Sequence, residues 1–168
     1  ENLVDFNDYF SEEELSQYVQ EFVNDGTIDG HLAVFPVSRS TRALFINDSL
    51  FYRFAKDTGV SYEMLDTWEG FFEVAAKYYE WSGGKSFCAF DYLIQNVEYD
   101  MLASGHEPVY NDADWYDTSD PNLKASWMKF AVPLAKGHIV VSDKYANTQI
   151  MTGEVAAGIG SSAAINYY

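Results

Sequence analysis

The chain is poor in cysteine, proline and positive charge. Its single cysteine, Cys88, has no partner within the chain, so no internal disulfide can staple the fold. Set in the apolar run SFCAF, it is expected to be a buried small hydrophobe. Only 10 lysines and arginines stand against 26 acidic side chains, a net charge of -16. Such a surface repels phosphate backbones and anionic bilayers, which argues against a nucleic-acid partner. No apolar stretch approaches the ~20 residues of a membrane-crossing helix, and none has the pattern of a signal peptide. The P-loop, the G-x-S-x-G elbow and the dinucleotide fingerprint are all missing, since GIGSS supplies only G-x-G. No cofactor is therefore expected.

Metal and histidine chemistry are equally thin. His31, His106 and His138 lie in a hairpin, a loop and a helix end, none beside a nucleophile motif. DADWYDTSD clusters acids at Asp112, Asp114, Asp117 and Asp120. An EF-hand loop needs glycine where Asp117 stands and glutamate where Leu123 stands, so a solvated acidic loop is the better reading.

What is abundant is apolar and aromatic. At 48% hydrophobic and 17% aromatic, 168 residues are enough for one globular domain with a proper core. So many rings can also line a ligand cleft as well as fill the core.

Periodicity and caps place the elements. Ser11 and Glu14 have capping-box spacing, and Leu15, Tyr18, Val19 and Phe22 then recur at helical spacing, predicting one amphipathic helix within residues 1–26. TIDGHLAVFPV reads as a hairpin turning at Asp29-Gly30, and RALFI as a short strand. Asn47 or Asp48, Thr67, Asp91 and Asp120 can each cap a following helix, the last with Pro121 at its first position. Pro133 should kink or shorten that last helix. KSFCAF and EVAAGIG read as strands, with a helix through DKYANTQIMTG between them. Trp68 and Trp127 fall on apolar helix faces and are assigned to the core. Strands alternating with helices predict an α/β domain with a partly parallel sheet.

In such sheets ligands collect at strand carboxyl ends and helix N-termini. Candidate ligand groups are therefore the hydroxyl-rich turn Ser38-Arg39-Ser40-Thr41, Asp91 and Tyr92 after SFCAF, and the turn Gly160-Ser161-Ser162. Ordinary capping competes with ligand binding at each of them. The three arginines, Arg39, Arg42 and Arg53, all fall within fifteen residues of one another.

Four segments, in this order, resemble the extracellular solute-binding proteins of ABC transporters, in the branch that binds sugars and glycerol phosphates. They are DYFSEEELSQYVQEFVNDGTIDGHLAVFPVSRSTRALFINDSLF, DTWEGFFEVAAKY, DPNLKASWMKFAVPLAKGHI and QIMTGEVAAGIGSSAAI. The resemblance implies an α/β, periplasmic-binding-protein-like (type II) lobe. It is expected to be incomplete, beginning as a processed or trimmed piece and stopping as a new helix starts. Residues 1–37 would be the remnant of a first lobe with its hinge strand, and 38–168 a second lobe truncated at its C-terminus.

By the same resemblance, Ser40, Thr41, Ser161 and Ser162 face the ligand, and Tyr92, Tyr110 and Trp115 are candidates to stack on sugar rings. Arg39 and Arg42 depart from the family pattern; a salt bridge with the acidic surface is favoured for them over an anion on the ligand. The implied role is capture of a carbohydrate or glycerol-phosphate-like solute by hinge closure and its delivery to a membrane permease. The protein would be a monomer outside the bacterial cell, lipid-anchored or periplasmic, and not an enzyme. The competing classes are a glycoside hydrolase pairing Asp91 with an acid from 112–120, and a surface interaction module without a ligand.

Overall fold

Helices begin where polar caps can satisfy their first N–H groups. In the computed structural model, which describes residues 3–108, 110, 116–143 and 145–168, the chain divides into two compact units, Glu1–Ser40 and Thr41–Tyr168.

In the first unit Ser11 opens α1 (Glu12–Leu15) through a full capping box. Its Oγ accepts from the Glu14 N–H at 3.3 Å, and the Glu14 carboxylate accepts from the Ser11 N–H at 2.8 Å. The single helix predicted over residues 1–26 is broken: α2 (Gln20–Asp25) is separate, and a short 3-10 turn covers Phe6–Asp8. Two contacts account for the break. The Gln20 side-chain amide donates to the carbonyls of Leu15, the last residue of α1, and of Tyr18 beyond it. The Tyr18 ring turns edge-on to Phe35 at 5.1 Å, in a cluster with Phe6 and Phe10.

The hairpin of β1 (Thr27–Ile28) and β2 (His31–Leu32) turns at Asp29-Gly30, whose φ angles of 51° and 84° are the two left-handed values a type I′ turn requires. It is shorter than expected. The N–H groups of Ala33 and Val34 donate to the Gly26 carbonyl, which draws the chain off the ladder.

The second unit runs β3 (Arg42–Ile46), α3 (Asp48–Thr58), α4 (Trp68–Trp81), β4 (Cys88–Phe90), α5 (Leu93–Ala103), α6 (Pro121–Ala135), β5 (Ile139–Val141), α7 (Ala146–Met151) and β6 (Ala157–Ser161), then a 3-10 turn over Ser162–Tyr167. Asn47, Thr67 and Asp120 cap α3, α4 and α6 through their side chains. α6 runs through Pro133 and ends two residues later, at Ala135. The sheet order is β3-β6-β4-β5, with β4 parallel to both β5 and β6 and β3 antiparallel to β6. The expected mixed, partly parallel sheet is present.

Strand alternation splits the core. Cys88 and Phe90 face α3, α4, α5 and α6, where Phe51, Phe54, Phe71, Tyr78, Met101 and Phe130 are fully buried. Ala89 faces α7, with Ala146 and Ile150. The Cys88 thiol is wholly buried, and burial pushes its pKa well above the usual thiol value. Trp68 packs against the main core as predicted, but Trp127 does not: it is 40% exposed and lines a surface pocket with Ile94, Tyr116 and Leu123.

Candidate functional site

Parallel strands end at a common edge, and here that edge gathers the polar groups. β4, β5 and β6 finish where β3 begins, as the register pair Arg42–Ser161 shows. Beyond β6 the backbone is stapled to the start of β3: the Thr41 N–H donates to the Ser162 Oγ at 3.0 Å, and the Ser162 N–H donates to the Thr41 carbonyl at 2.8 Å. Ser161 caps the following 3-10 turn by accepting from the Ala163 N–H. Gly160 and Ser161 thus lie within β6, not in a free turn, and the helix expected to start after them is a 3-10 turn over Ser162–Tyr167.

Asp91 leaves β4 at the same edge but is 8% exposed. It does not cap α5, whose N-cap is Tyr92 without a side-chain hydrogen bond. Its carboxylate accepts instead from the Ala146 N–H at 2.6 Å, closing the N-terminus of α7, where negative charge is favoured. The predicted helix cap therefore serves another helix. Gly160 leaves room for this: a Cβ there would stand 2.6 Å from the Asp91 Oδ2 and 3.0 Å from the Tyr168 Oη. Burial, then the nearby Asp91 carboxylate, pushes the Tyr168 hydroxyl up to about 12, so it is a neutral phenol. Its ring stacks on Phe45 at 3.8 Å.

The exposed part of the edge is aromatic and cationic. Tyr92 is half-exposed, and the Arg42 guanidinium sits 5.0 Å above its ring while donating to the Gln95 Oε1. Among the described residues Arg42 makes no ion pair. Beside it a pocket of about 360 Å³ is lined by Tyr145, Asn147, Ser161, Ala163, Tyr167 and Tyr168.

The other candidates are placed elsewhere. Ser38, Arg39 and Ser40 belong to the first unit and are exposed. Arg39 is there a structural cation, paired with Asp25 at 2.6 Å and lying over the Phe22 ring. Tyr110 forms a bridge with Tyr116, whose hydroxyl donates to the Glu98 carboxylate. Trp115, Asp112 and Asp114 lie outside the described residues. No group of three or more histidine, cysteine or acidic side chains that could hold a metal ion occurs among the described residues. Sequence reasoning missed Tyr145, because it read a helix from Asp143. It missed Gln95 because the Arg42 contact is long-range.

Comparison with known proteins gives this arrangement a family. The model of the bacterial extracellular solute-binding protein family matches residues 2–168, and the chain belongs to that family. Among solved structures it is similar to UgpB from Mycobacterium tuberculosis in complex with glycerophosphocholine, with a TM-score of 0.76 and 18% identity over 97% of this chain and 41% of that one. It is also similar to the ABC substrate-binding protein Lmo0181 from Listeria monocytogenes in complex with cycloalternan, at 0.71 and 17% over 95% of this chain and 42% of that one. The sugar-binding protein MalE from Xanthomonas citri matches at 0.66 and 16%, over 98% of this chain and 42% of that one. The chain thus spans about two-fifths of the length of these structures, and it shares their fold. No curated protein matches the sequence.

Proposed function

We propose that this member of the extracellular solute-binding family serves as the capture component of an ABC importer, holding a polyhydroxylated solute at the carboxyl edge of its second unit and passing it to a membrane permease. The observation that carries the proposal is the convergence at that edge of Arg42, Tyr92, Ser161, Ser162 and the tyrosine-lined pocket. Exposed rings beside hydroxyls and backbone N–H groups suit a sugar or glycerol backbone. The first unit, Glu1–Ser40, is read as part of a first lobe and the second, Thr41–Tyr168, as a second, three residues later than the boundary expected from the sequence; closure over solute would be a population shift driven by contacts made only in the closed state.

Arg42 narrows the solute. A guanidinium oriented by Gln95 and a ring, with no ion pair among the described residues, is suited to a phosphate or carboxylate. This favours a glycerol-phosphate-like solute over a neutral sugar.

The hydrolase reading has less support. Asp91 is committed to the Ala146 N–H, while Asp117 and Asp120 accept from Ser119 and Asn122 in their own turns. We therefore read the protein as a binder and not a catalyst.

Calorimetric titration with glycerol 3-phosphate, glycerophosphocholine and a maltooligosaccharide tests this. Saturable binding of a phosphate ester, weakened roughly tenfold or more in Arg42→Gln, is expected. Binding of the neutral sugar alone, equal in wild type and variant, would overturn the anionic assignment.

A further inference from the structure

The opposite, amino edge of the same sheet carries a second polar pocket. It lies where β3 ends and where β4 and β6 begin, and it measures about 570 Å³. Asn47, Ser49, Arg53, Tyr78, Ser82 and Lys85 contribute its polar lining, and no aspartate or glutamate lines it, the Trp81 ring N–H at its wall being bonded to the Asp57 carboxylate at 3.0 Å. In a chain with 26 acidic and 10 basic residues, a cavity with two cations and no carboxylate is an electropositive exception. Neither Arg53 nor Lys85 makes an ion pair among the described residues.

The second observation is Tyr78. This residue is 1% exposed, its ring packed among Phe54, Trp81 and Phe87 in the core. Tyr78 nevertheless lines the pocket, and its hydroxyl makes no hydrogen bond among the described residues. A donor left unbonded at a pocket wall is open to a ligand or water. Burial raises the Tyr78 pKa, so the phenol keeps its proton and can only be useful to an acceptor by donating. The Ser82 Oγ accepts from the Lys85 N–H at 3.1 Å, which fixes the backbone that carries one of the cations.

We propose that this amino-edge pocket is a binding site for a small oxyanion of the phosphate type, held by Arg53 and Lys85 with a hydrogen bond from the Tyr78 hydroxyl. It is separate from the solute site at the carboxyl edge and does not depend on that reading. The heavily acidic surface disfavours approach of an anionic bilayer, so the ligand is a free anion rather than a lipid headgroup.

The test is an amide-shift NMR titration with inorganic phosphate, against sodium chloride at matched ionic strength. Saturable shifts at Ser82, Lys85 and Gly153 are expected, with apparent affinity falling roughly tenfold in Arg53→Gln/Lys85→Gln. Tyr78→Phe keeps the buried ring and should weaken binding several-fold while leaving the remaining amide spectrum in place. Shifts no larger than those with chloride, or an affinity unchanged in the double variant, overturn the proposal. Equal shifts with phosphate-bearing vesicles alone, and none with free phosphate, would overturn the choice of a free anion.

Discussion

The Asp91 carboxylate and the Ala146 N–H are both buried, so each depends on the other. Removing the acceptor leaves a buried donor unsatisfied at the start of α7. Asp91→Ala is expected to lower stability by about 1–3 kcal/mol, read as a fall in urea midpoint. An unchanged midpoint would show that the contact contributes nothing. At the surface, the His31 Nδ1 and the Asp5 carboxylate stand 2.7 Å apart, and the hydrogen bond between them raises the pKa of His31 above 6.5 and lowers that of Asp5 below 3.8. The charges of Asp29 and Asp8 add to the rise at His31. The histidine's contribution is complete below its ordinary value and fades as pH rises through the raised one. That of Asp5 is complete above its ordinary value and fades as pH falls through the lowered one. The pair is therefore intact between about pH 4 and 6.5. An NMR titration should place the His31 midpoint above 6.5, returning toward it in Asp5→Asn; a wild-type midpoint at or below that value contradicts the pairing. The three arginines mark what residue type alone can convey. Their clustering was visible in the sequence, but only the fold separates Arg39, paired with Asp25, from Arg42, which stands over Tyr92.

Elements whose signals are local were legible. Ser11, Asn47, Thr67 and Asp120 cap the helices they precede, because a cap bonds an N–H two or three residues away. Signals that depend on distant partners were not. The break between α1 and α2 follows from Phe35 drawing Tyr18 aside, and Asp91 was misassigned because α7 lies more than fifty residues downstream. β6 illustrates the same limit. Its Gly158 looks like a flexible position in AAGIG, yet it marks where α7 lies directly on the sheet: a Cβ there would be 2.6 Å from the Ile150 Cδ1 and 2.8 Å from the Ala146 Cβ. Gly158→Ala should overpack this layer and cost about 1–3 kcal/mol, seen as a lower thermal midpoint. An equal or higher midpoint would mean that α7 yields without strain.

For the whole molecule, alternation of strands and helices predicted the α/β class, while the order β3-β6-β4-β5 rests on pairings no single segment encodes. Of the two hydroxyl turns, Thr41, Ser161 and Ser162 fall at the edge proposed for the solute, whereas Tyr145 and Gln95, assigned to the same proposed site, emerged only from the fold. That edge, in a chain of the extracellular solute-binding family, is where we propose that a hydroxylated, phosphate-bearing solute is captured. The most direct measurement is thermal stabilisation of the full-length protein against a panel of glycerol phosphates, glycerophosphodiesters and mono- and oligosaccharides. A true ligand at about 100 times its dissociation constant adds roughly 2.7 kcal/mol, a shift of several degrees. The account predicts such a shift with at least one phosphate-bearing member of the panel and its loss in Arg42→Gln; a folded protein that no member stabilises would contradict it.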